Sequence, residues 1–412
     1  MSKREAGFSL VELLIAMLMF VFVIAASSQM FTAMLTQFKQ QSKIAETSTE
    51  GIIGLEILRQ DVEHAGYGLP WAIPAGITTD TYNEAEEADP CGSGGSADPS
   101  DYNDSTLLNP PRAVLNGNNN CTNNSDYLVL KATNIATNNA SSKWTYLRAL
   151  NIIKEWEPDT ERLETSDRVI VLNLTATRAL VADETGEGFT TRYLENGGDP
   201  DSLANANFAP PDNTITRTVY GVTPPVTGGV GTPLRMPFNR ADYYVDIPDD
   251  NMPSRCADNT GVLYKSTLNH ADGELTPLPL LDCVADMQVG YGIDTDPTPD
   301  GVVNCYVNNL ADVLAAVDAE NIRNRVRDIR VYILAHEGQI DRDFTFDAPV
   351  DTSSIRVGEP FNVLPGGNAC TALGEDDLGK MFDLADISTT DSPWQNYRWK
   401  LYTIVTKPYN LR

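Results

Sequence analysis

The chain is poor in positive charge, in histidine and in the paired motifs of common metal and redox sites. Its 412 residues hold 30 Lys and Arg against 57 Asp and Glu, a formal net charge of −27, with three His. A surface of this sign repels phosphates and anionic headgroups, so no nucleic-acid binding is expected, and membrane attachment would need a local apolar segment. Neither a C-x-x-C pair nor a G-x-S-x-G elbow occurs, so we predict that the protein is not an enzyme.

The cysteines are few and do not cluster. An even count without metal-ligand spacing favours disulfides if the protein is exported, over the free thiols of a cytosolic enzyme. Cys91 and Cys121 are the first pair we expect, because closing the flexible segment between them would stabilise the protein by roughly 3 to 4 kcal/mol in the chain-entropy model. The other pairings stay open. The six disulfide candidates are Cys91, Cys121, Cys256, Cys283, Cys305 and Cys370.

The N-terminus holds the one long apolar run. After a polar leader with Lys3 and Arg4, residues Phe8 to Ala26 contain a single charge, Glu12. About 19 helical residues span roughly 28 Å, close to the thickness of the bilayer core. The positive-inside tendency keeps the leader cytoplasmic and sends the rest of the chain across the membrane. We therefore predict a single-pass inner-membrane anchor followed by an exported domain.

A secretory signal peptide cut near the small residues Ala25 to Ser28 is the alternative. Glu12 argues against it, since a carboxylate inside a spanning helix costs about 2.5 to 3.5 kcal/mol and asks for a partner. The run Gly7-Phe8-Ser9-Leu10-Val11-Glu12-Leu13 resembles the prepilin motif of type IV pilins and type II secretion pseudopilins. The resemblance implies cleavage after Gly7, methylation of Phe8, and pairing of Glu12 with the α-amine of a neighbouring subunit.

The next segment is predicted to continue the same helix. No proline occurs from Phe8 to His64, and an apolar stripe of Ile44, Leu55, Leu58, Val62 and Ala65 follows near helical spacing. The stretch from Leu58 to Tyr67 is similar to the helix end of PilW-type minor pilins, with its L-x-x-D-hydrophobic-x-x-A-G-Y pattern. The stretches 280–294, 326–334 and 397–412 resemble later strands of that family.

Beyond the helix we predict antiparallel strands separated by turns. Residues 72–125 are rich in Gly, Asn, Asp, Ser and Pro and are predicted to form long surface loops, outside the family's pattern. The fold class is α+β, a long helix packed on an antiparallel sheet domain of the type IV pilin kind. The organisation expected is a leader at 1–7, a helix at 8–66 that spans the membrane over 8–26, and an exported domain at 67–412. Strands are predicted at Tyr127–Lys131, Val169–Leu174, Arg217–Val222, Tyr243–Ile247, Gly261–Tyr264, Met287–Ile293, Arg327–Leu334 and Arg398–Thr406.

One acidic turn is a candidate metal site. Asp294, Asp296 and Asp300 lie in a proline-stiffened loop that offers the hard oxygen ligands of calcium. The spacing is not that of an EF-hand, because Pro299 and Cys305 stand where the loop needs glycine and a bidentate Glu. A solvated hairpin turn is the alternative. No other cofactor is expected.

The family resemblance implies a minor pilin that primes a type IV pilus or forms its tip. Its partners would be other minor pilins, the major pilin, the prepilin peptidase and the inner-membrane assembly platform, and its final location the pilus at the cell surface. A GspJ-like pseudopilin of type II secretion is the first alternative. The second is a pilus-borne adhesin that uses the 72–125 loops.

Overall fold

The computed structural model describes residues 9–78, 81–183, 188–197, 199–225, 234–248, 252–349, 353–361, 364, 370 and 377–411. Gly7 and Phe8 lie outside this range. Short 3-10 turns also occur, several of them within 72–125. The helices and strands are α1 (Leu10–His64), β1 (Val114–Gly117), β2 (Tyr127–Ala132), β3 (Trp144–Ala149), β4 (Ile152–Ile153), β5 (Arg168–Asn173), β6 (Thr191–Leu194), β7 (Ser202–Leu203), β8 (Arg217–Thr223), β9 (Asn239–Asp246), β10 (Gly261–Leu268), β11 (Leu275–Ile293), β12 (Cys305–Val307), α2 (Ala319–Arg325), β13 (Val326–Glu337), β14 (Ser354–Pro360), β15 (Asp377–Asp383) and β16 (Arg398–Thr406).

The strands form a large sheet, a second sheet and a hairpin. The large sheet runs β1-β2-β9-β10-β11-β13-β16, with β12 beside β11, and all of its pairs are antiparallel. The second sheet runs β4-β3-β8-β5-β6-β7 and is inserted in the chain between β2 and β9. The strands β14 and β15 pair only with each other among the described residues. The predicted α+β class is confirmed.

Three apolar cores hold these layers together. The main core lies between the large sheet and the last turns of α1, where Leu58 and Val62 are fully buried. A second core lies under the β14–β15 hairpin around Tyr332 and Leu334 of β13. The third fills the second sheet around Leu147 and Val171. Because alternate residues of a strand face opposite sides, β13 contributes to the first two cores at once.

The helix α1 begins with a capping box and is followed, after its C-cap Ala65, by a glycine in the left-handed region. The Ser9 hydroxyl accepts the Glu12 backbone N–H at 3.3 Å, and the Glu12 carboxylate accepts the Ser9 N–H at 3.1 Å. At the other end Gly66 takes a φ of +84°, and its N–H donates to the carbonyl of Lys131 on β2. Of the predicted stripe, Leu55, Leu58, Val62 and Ala65 are buried, whereas the side chain of Ile44 lies outside the described residues.

Candidate functional site

The first part of α1 presents an apolar surface that nothing in the described chain covers. Its large apolar side chains from Leu10 to Phe38 have exposed fractions from 43% at Leu35 to 77% at Leu10. The span Leu10–Lys39 is long and apolar enough to cross a bilayer by length and composition, with none of its most apolar window buried. Exposed apolar area on this scale is unfavourable in water, so this surface is suited to contact with lipid or with other apolar helices.

Glu12 is the single acidic side chain in that surface. Its carboxylate is already engaged through the hydrogen bond from the Ser9 N–H, so the chain itself supplies part of the compensation that a buried carboxylate needs. A carboxylate has further lone pairs, so this cap leaves Glu12 able to accept a second donor. The structure thus adds a local role to the intersubunit role that the sequence suggests.

The helix meets the large sheet at two glycines, Gly51 and Gly54. A Cβ added at Gly54 would stand 2.2 Å from the carbonyl oxygen of Leu280 on β11, far inside contact distance. A Cβ at Gly51 would come inside ordinary contact distance only of the end of the Leu281 side chain, at 2.9 Å, with the Tyr402 hydroxyl at 4.0 Å. The backbone of α1 therefore approaches β11 more closely than any side chain at position 54 would permit.

A buried polar contact fixes the helix farther along. Asp61 of α1 pairs with the ammonium of Lys265 on β10 and accepts the hydroxyl of Tyr243 on β9. The Lys265 ammonium also donates to the carbonyl of Ile135 at 2.9 Å. Burial raises the pKa of the Asp61 carboxyl above its ordinary value, and Lys265 opposes that rise. Asp61 is the acidic residue of the pattern between Leu58 and Tyr67, and anchoring to two strands is the role the structure gives it.

Residues 72–125 form mainly loops and short 3-10 turns as predicted, but part of this segment is buried and does not lie at the surface. Tyr82, Glu84, Cys91 and Asp104 are almost completely buried. The reason is a buried charge network, which we define as Glu84, Asp104, Arg112, Lys131, Arg240 and Asp242. It ties this segment to the large sheet, and composition alone does not reveal it because the partners are far apart in the chain.

Lys131 and Arg240 are the two cations at the centre of the buried charge network. The Lys131 ammonium lies 2.7 Å from carboxylate oxygens of both Glu84 and Asp104. The Arg240 guanidinium makes two 2.7 Å contacts with Asp242 and reaches Glu84 at 3.5 Å. Each charge therefore has an opposite partner, as buried ions require.

The cysteines form three disulfides: Cys91–Cys121, Cys256–Cys283 and Cys305–Cys370. The first is the pair that the sequence favours. It joins two ends of the segment that the charge network also holds, so the 72–125 region is fixed by both covalent and ionic contacts. His336 lies beside the second bridge, but sulfur in a disulfide is not a thiolate and cannot serve as a metal ligand of the usual kind.

The acidic turn brings Asp294, Asp296 and Asp300 together, with carboxylate oxygens within 4.8 Å of one another. Asp294 is buried and accepts the Gly301 N–H at 2.7 Å, and Arg325 donates to the carbonyls of Asp294 and Asp296. The turn thus has internal partners for part of its charge. Calcium binding stays a prediction, and calorimetry on the full chain with Asp296→Ala as control tests it, absence of heat above background counting against the metal.

Sequence reasoning gave no role to the aromatic residues Trp144, Tyr146 and Trp156. They form a cluster on the outer face of the second sheet. The aromatic and β-branched residues at 144–146 are the sequence signal for β3.

Two comparisons with known families match parts of this geometry. Residues 242–366, which include all of β10 to β14 and most of β9, match the family model of type IV pilus-assembly protein W. Residues 2–28, the start of the uncovered helix, match the prokaryotic N-terminal methylation motif. No curated protein and no solved structure matches the chain. Both matched families are pilin or pilus-assembly proteins, which are structural components. The chain is therefore similar to PilW-type pilus-assembly proteins over residues 242–366 and to prepilin-type N-termini over residues 2–28.

Proposed function

We propose that the protein is a minor pilin that primes the assembly of a type IV pilus or forms its tip. The observation that carries the proposal is the uncovered apolar surface of α1 from Leu10 to Phe38, in a chain whose first residues match the methylation motif. Such a helix is stable in a bilayer, and it is equally suited to the apolar core of a helical filament. The PilW match favours a pilus over the GspJ-like alternative.

The proposed sequence of events starts in the inner membrane. The basic leader holds the N-terminus in the cytoplasm, and the prepilin peptidase cuts after Gly7 and exposes the α-amine of Phe8. The assembly platform then moves α1 from lipid into a filament, beside other minor pilins or the major pilin. The move exchanges one apolar surrounding for another, so the helix keeps its apolar contacts while it changes partners.

Glu12 supplies the specificity of that exchange. In lipid its carboxylate has only its cap with the Ser9 N–H among the described contacts. In a filament the amine of a neighbouring subunit can approach it, and a buried carboxylate gains several kcal/mol from an opposite charge held at contact distance. An axial position in which this pair cannot form leaves both charges uncompensated, so the pair favours one register between helices.

The bulk of the exported domain supports a terminal position. The second sheet, β3 to β8, is an addition between neighbouring strands of the large sheet. A subunit enlarged in this way is harder to repeat along a closely packed shaft, whereas one copy at the end meets no such limit.

The experiment locates the full-length protein in sheared filaments by immunogold labelling, beside Gly7→Ala and Glu12→Gln variants. We expect label at filament ends, an uncut precursor for Gly7→Ala, and normal cutting but few or no labelled filaments for Glu12→Gln. Glu12→Asp is the matched control and should restore part of the assembly. Label spread uniformly along shafts contradicts the tip assignment, and a mature N-terminus near Ser27 contradicts the prepilin assignment. Retention in a secretion complex would instead favour the pseudopilin.

A further inference from the structure

The second sheet carries an exposed aromatic cluster on its outer face. Alternate residues of β3 point to opposite faces, so Thr145 and Leu147 are buried toward the core, whereas Trp144 and Tyr146 point outward. Trp144 is 40% exposed, a large value for the largest apolar side chain. A third ring, Trp156, packs against both, with ring centroids 5.3 Å from Trp144 and 6.0 Å from Tyr146.

This cluster is held rigidly by hydrogen bonds to the backbone. The Trp156 indole N–H donates to the carbonyl of Trp144 at 2.7 Å, and Arg162 donates to the carbonyl of Trp156, also at 2.7 Å. The Trp156 ring is therefore fixed before any ligand arrives, and the Trp144 ring packs against it. A preorganised aromatic surface loses little conformational entropy when a ligand stacks on it.

A small cavity with polar walls lies beside the two tryptophans. It has a volume of about 290 Å³ and joins a larger groove of about 680 Å³ through the shared residues Asn139, Lys143 and Thr160. Amide, hydroxyl, ammonium and carboxylate groups surround the rings, so the cavity combines one apolar wall with many hydrogen-bonding groups. The polar residues that line the smaller cavity are Asn139, Ser142, Lys143, Thr160 and Glu161.

The charges around the cavity exclude anionic ligands. The Lys143 ammonium lies 3.2 Å from Glu164, which also accepts the amide of Asn139 at 2.6 Å. Arg162 is likewise surrounded by carboxylates, so neither cation is available to a phosphate or sulfate. The carboxylates that contact the Arg162 guanidinium belong to Glu155 at 3.8 Å, Glu157 at 3.0 Å and Asp159 at 3.1 Å.

The backbone beside the cavity excludes a peptide that would add a strand. On the side of β3 away from β8, the carbonyl of Trp144 accepts the Trp156 indole and the carbonyl of Tyr146 accepts the Lys154 N–H at 2.9 Å. These acceptors are already occupied, so strand addition would have to break existing bonds.

We propose that this cavity, the Trp144–Trp156 pocket, binds a neutral saccharide. A pyranose ring has an apolar C–H face that stacks on an indole, and its equatorial hydroxyls point sideways to groups such as those of Asn139, Thr160 and Glu161. It carries no charge for the acidic rim to repel. The larger groove beside the pocket gives room for a second sugar unit, so an oligosaccharide fits better than a monosaccharide.

The pocket is separate from the parts of the chain that the pilus assignment uses. It lies on the second sheet, outside residues 242–366 and outside α1. Saccharide binding could therefore occur with the helix in a membrane or in a filament. The proposal places ligand binding on the second sheet and not on residues 72–125, because the buried side chains of that segment pack with the large sheet.

The first experiment tests the full-length protein, kept in a detergent without a sugar headgroup, on an array of defined glycans. The array holds neutral galactose- and N-acetylhexosamine-terminated oligosaccharides of the animal type, bacterial-type neutral glucans, and sialylated and sulfated forms. We expect neutral glycans to bind with a dissociation constant of about 1 mM or tighter, and the neutral group that binds indicates the source. Binding of acidic glycans alone, or of none, overturns the proposal.

The second experiment compares tryptophan variants by calorimetric titration with the best neutral glycan. We expect Trp144→Ala to weaken binding by about tenfold or more and Trp144→Phe, which keeps an aromatic face, to weaken it by less. Trp71→Ala is the matched control, since Trp71 is a 37% exposed tryptophan elsewhere on the protein, and its affinity should equal that of the wild type. If the folded Trp144→Ala protein binds within about twofold of wild type, or if both alanine variants lose binding equally, the site is not this pocket.

Thr160→Val is a second variant of the same pocket, and it tests the proposal even if Trp144→Ala fails to fold. Thr160 is exposed at the cavity rim, so removal of its hydroxyl should leave the unfolding temperature unchanged. We expect a several-fold loss of affinity from the missing hydrogen bond. Unchanged affinity in this variant also counts against the pocket.

Discussion

At the scale of single residues, the most costly feature of the chain is the set of ions inside its core. Lys131 and Arg240 have no exposed side-chain surface, and neither has Glu84. Removing one member of such a set leaves a buried charge without a partner, which costs more than the pair itself contributes. The network therefore makes the fold sensitive to single substitutions in a segment that looks tolerant by composition.

Lys131→Met should destabilise the protein by about 3 to 5 kcal/mol, because Glu84 and Asp104 then lose their shared cation. Urea unfolding of the full chain measures the change. Lys400→Met is the control, since Lys400 pairs with Glu337 at the surface and its side chain is 46% exposed, and should cost below about 1 kcal/mol. Equal losses in the two variants would mean that the buried network is not held together by charge.

His336→Gln should reduce the loss of stability in acid. His336 is buried against Tyr397 and Trp399 and accepts the Ala257 N–H at 2.8 Å, so its ring is neutral. Burial lowers its pKa from 6.5 to about 3. Because the folded pKa is depressed, the stability that the neutral ring contributes is complete above pH 6.5 and is lost as the pH falls toward 3.

Between pH 7.5 and pH 4.5 this one group should account for roughly 2 to 3 kcal/mol of lost stability. Gln can keep the hydrogen bond from Ala257 without taking up a proton. Unfolding free energies of wild type and variant at the two pH values give the difference, and parallel pH dependences would exclude His336 as its source. Asp126 and Asp286, whose pKa values burial raises to about 7 and about 6, act in the opposite direction and remain unchanged in both proteins.

At the scale of elements, the joint between α1 and β11 decides how the anchor is attached to the domain. Gly54 lies where the two backbones are closest, and Asp61 lies two turns later against β9 and β10. Along α1, the helix is thus attached to the sheet by a close steric contact at Gly54 and then by an ionic contact at Asp61. Helix propensity alone would favour alanine at both glycine positions.

Gly54→Ala should therefore destabilise the protein, although helix propensity alone predicts that alanine would stabilise it by about 1 kcal/mol. The new methyl group would overlap the carbonyl of Leu280, so α1 or β11 must move, at a cost of about 1 to 3 kcal/mol. Gly51→Ala is the matched variant, because its new methyl group would crowd only the movable end of Leu281, and it should be nearly neutral. Thermal unfolding distinguishes the two, and an increase in stability for Gly54→Ala would disprove the close contact.

The elements also show how far sequence reasoning reaches. All eight predicted strands overlap observed ones, because each is an apolar run bounded by turn residues. Residues 275–279 at the start of β11 lie outside every predicted strand and hold Pro277 and Pro279. They pair only with β10 among the described contacts, and their open side tolerates proline. The strands β14 and β15 contain glycine and charged residues and depend on packing against the second core, which the local sequence does not encode.

The candidate sites also fall into those that a local sequence pattern reveals and those that only the fold brings together. The prepilin motif and the anchor are local patterns, so the sequence carries them completely. The partners of Asp61 and of Lys131 come from distant parts of the chain, and only the fold brings them together. The Trp144–Trp156 pocket likewise needs the loop after β4 to fold back over β3.

At the scale of the whole molecule, the covalent bridges are unevenly distributed. All three disulfides join segments around the large sheet, and none lies in β3 to β8. Each closed loop contributes roughly 3 to 4 kcal/mol in the chain-entropy model. The second sheet depends on its own apolar core, which includes Leu147, Val171 and Phe208.

Reduction of the disulfides should therefore loosen the two regions unequally. We expect hydrogen exchange with mass spectrometry to show faster exchange in 82–126 and 256–283 after reduction, while peptides from β5 and β8 keep their protection. The Cys91→Ser/Cys121→Ser protein is the control and should affect only the first of these segments. A uniform loss of protection across both sheets would show that the second sheet relies on the bridges as well.

The glycine contact between α1 and β11 also has a mechanical consequence. A subunit held in a filament by its helix is pulled along α1 whenever the filament carries load, and the force enters the domain at Gly51 and Gly54 before it reaches Asp61. Survival under tension depends on the rate at which these contacts separate, not on the equilibrium stability of the fold. If the protein is a pilin as proposed, the contacts of two glycines and one aspartate set how long its domain stays attached to a filament under load.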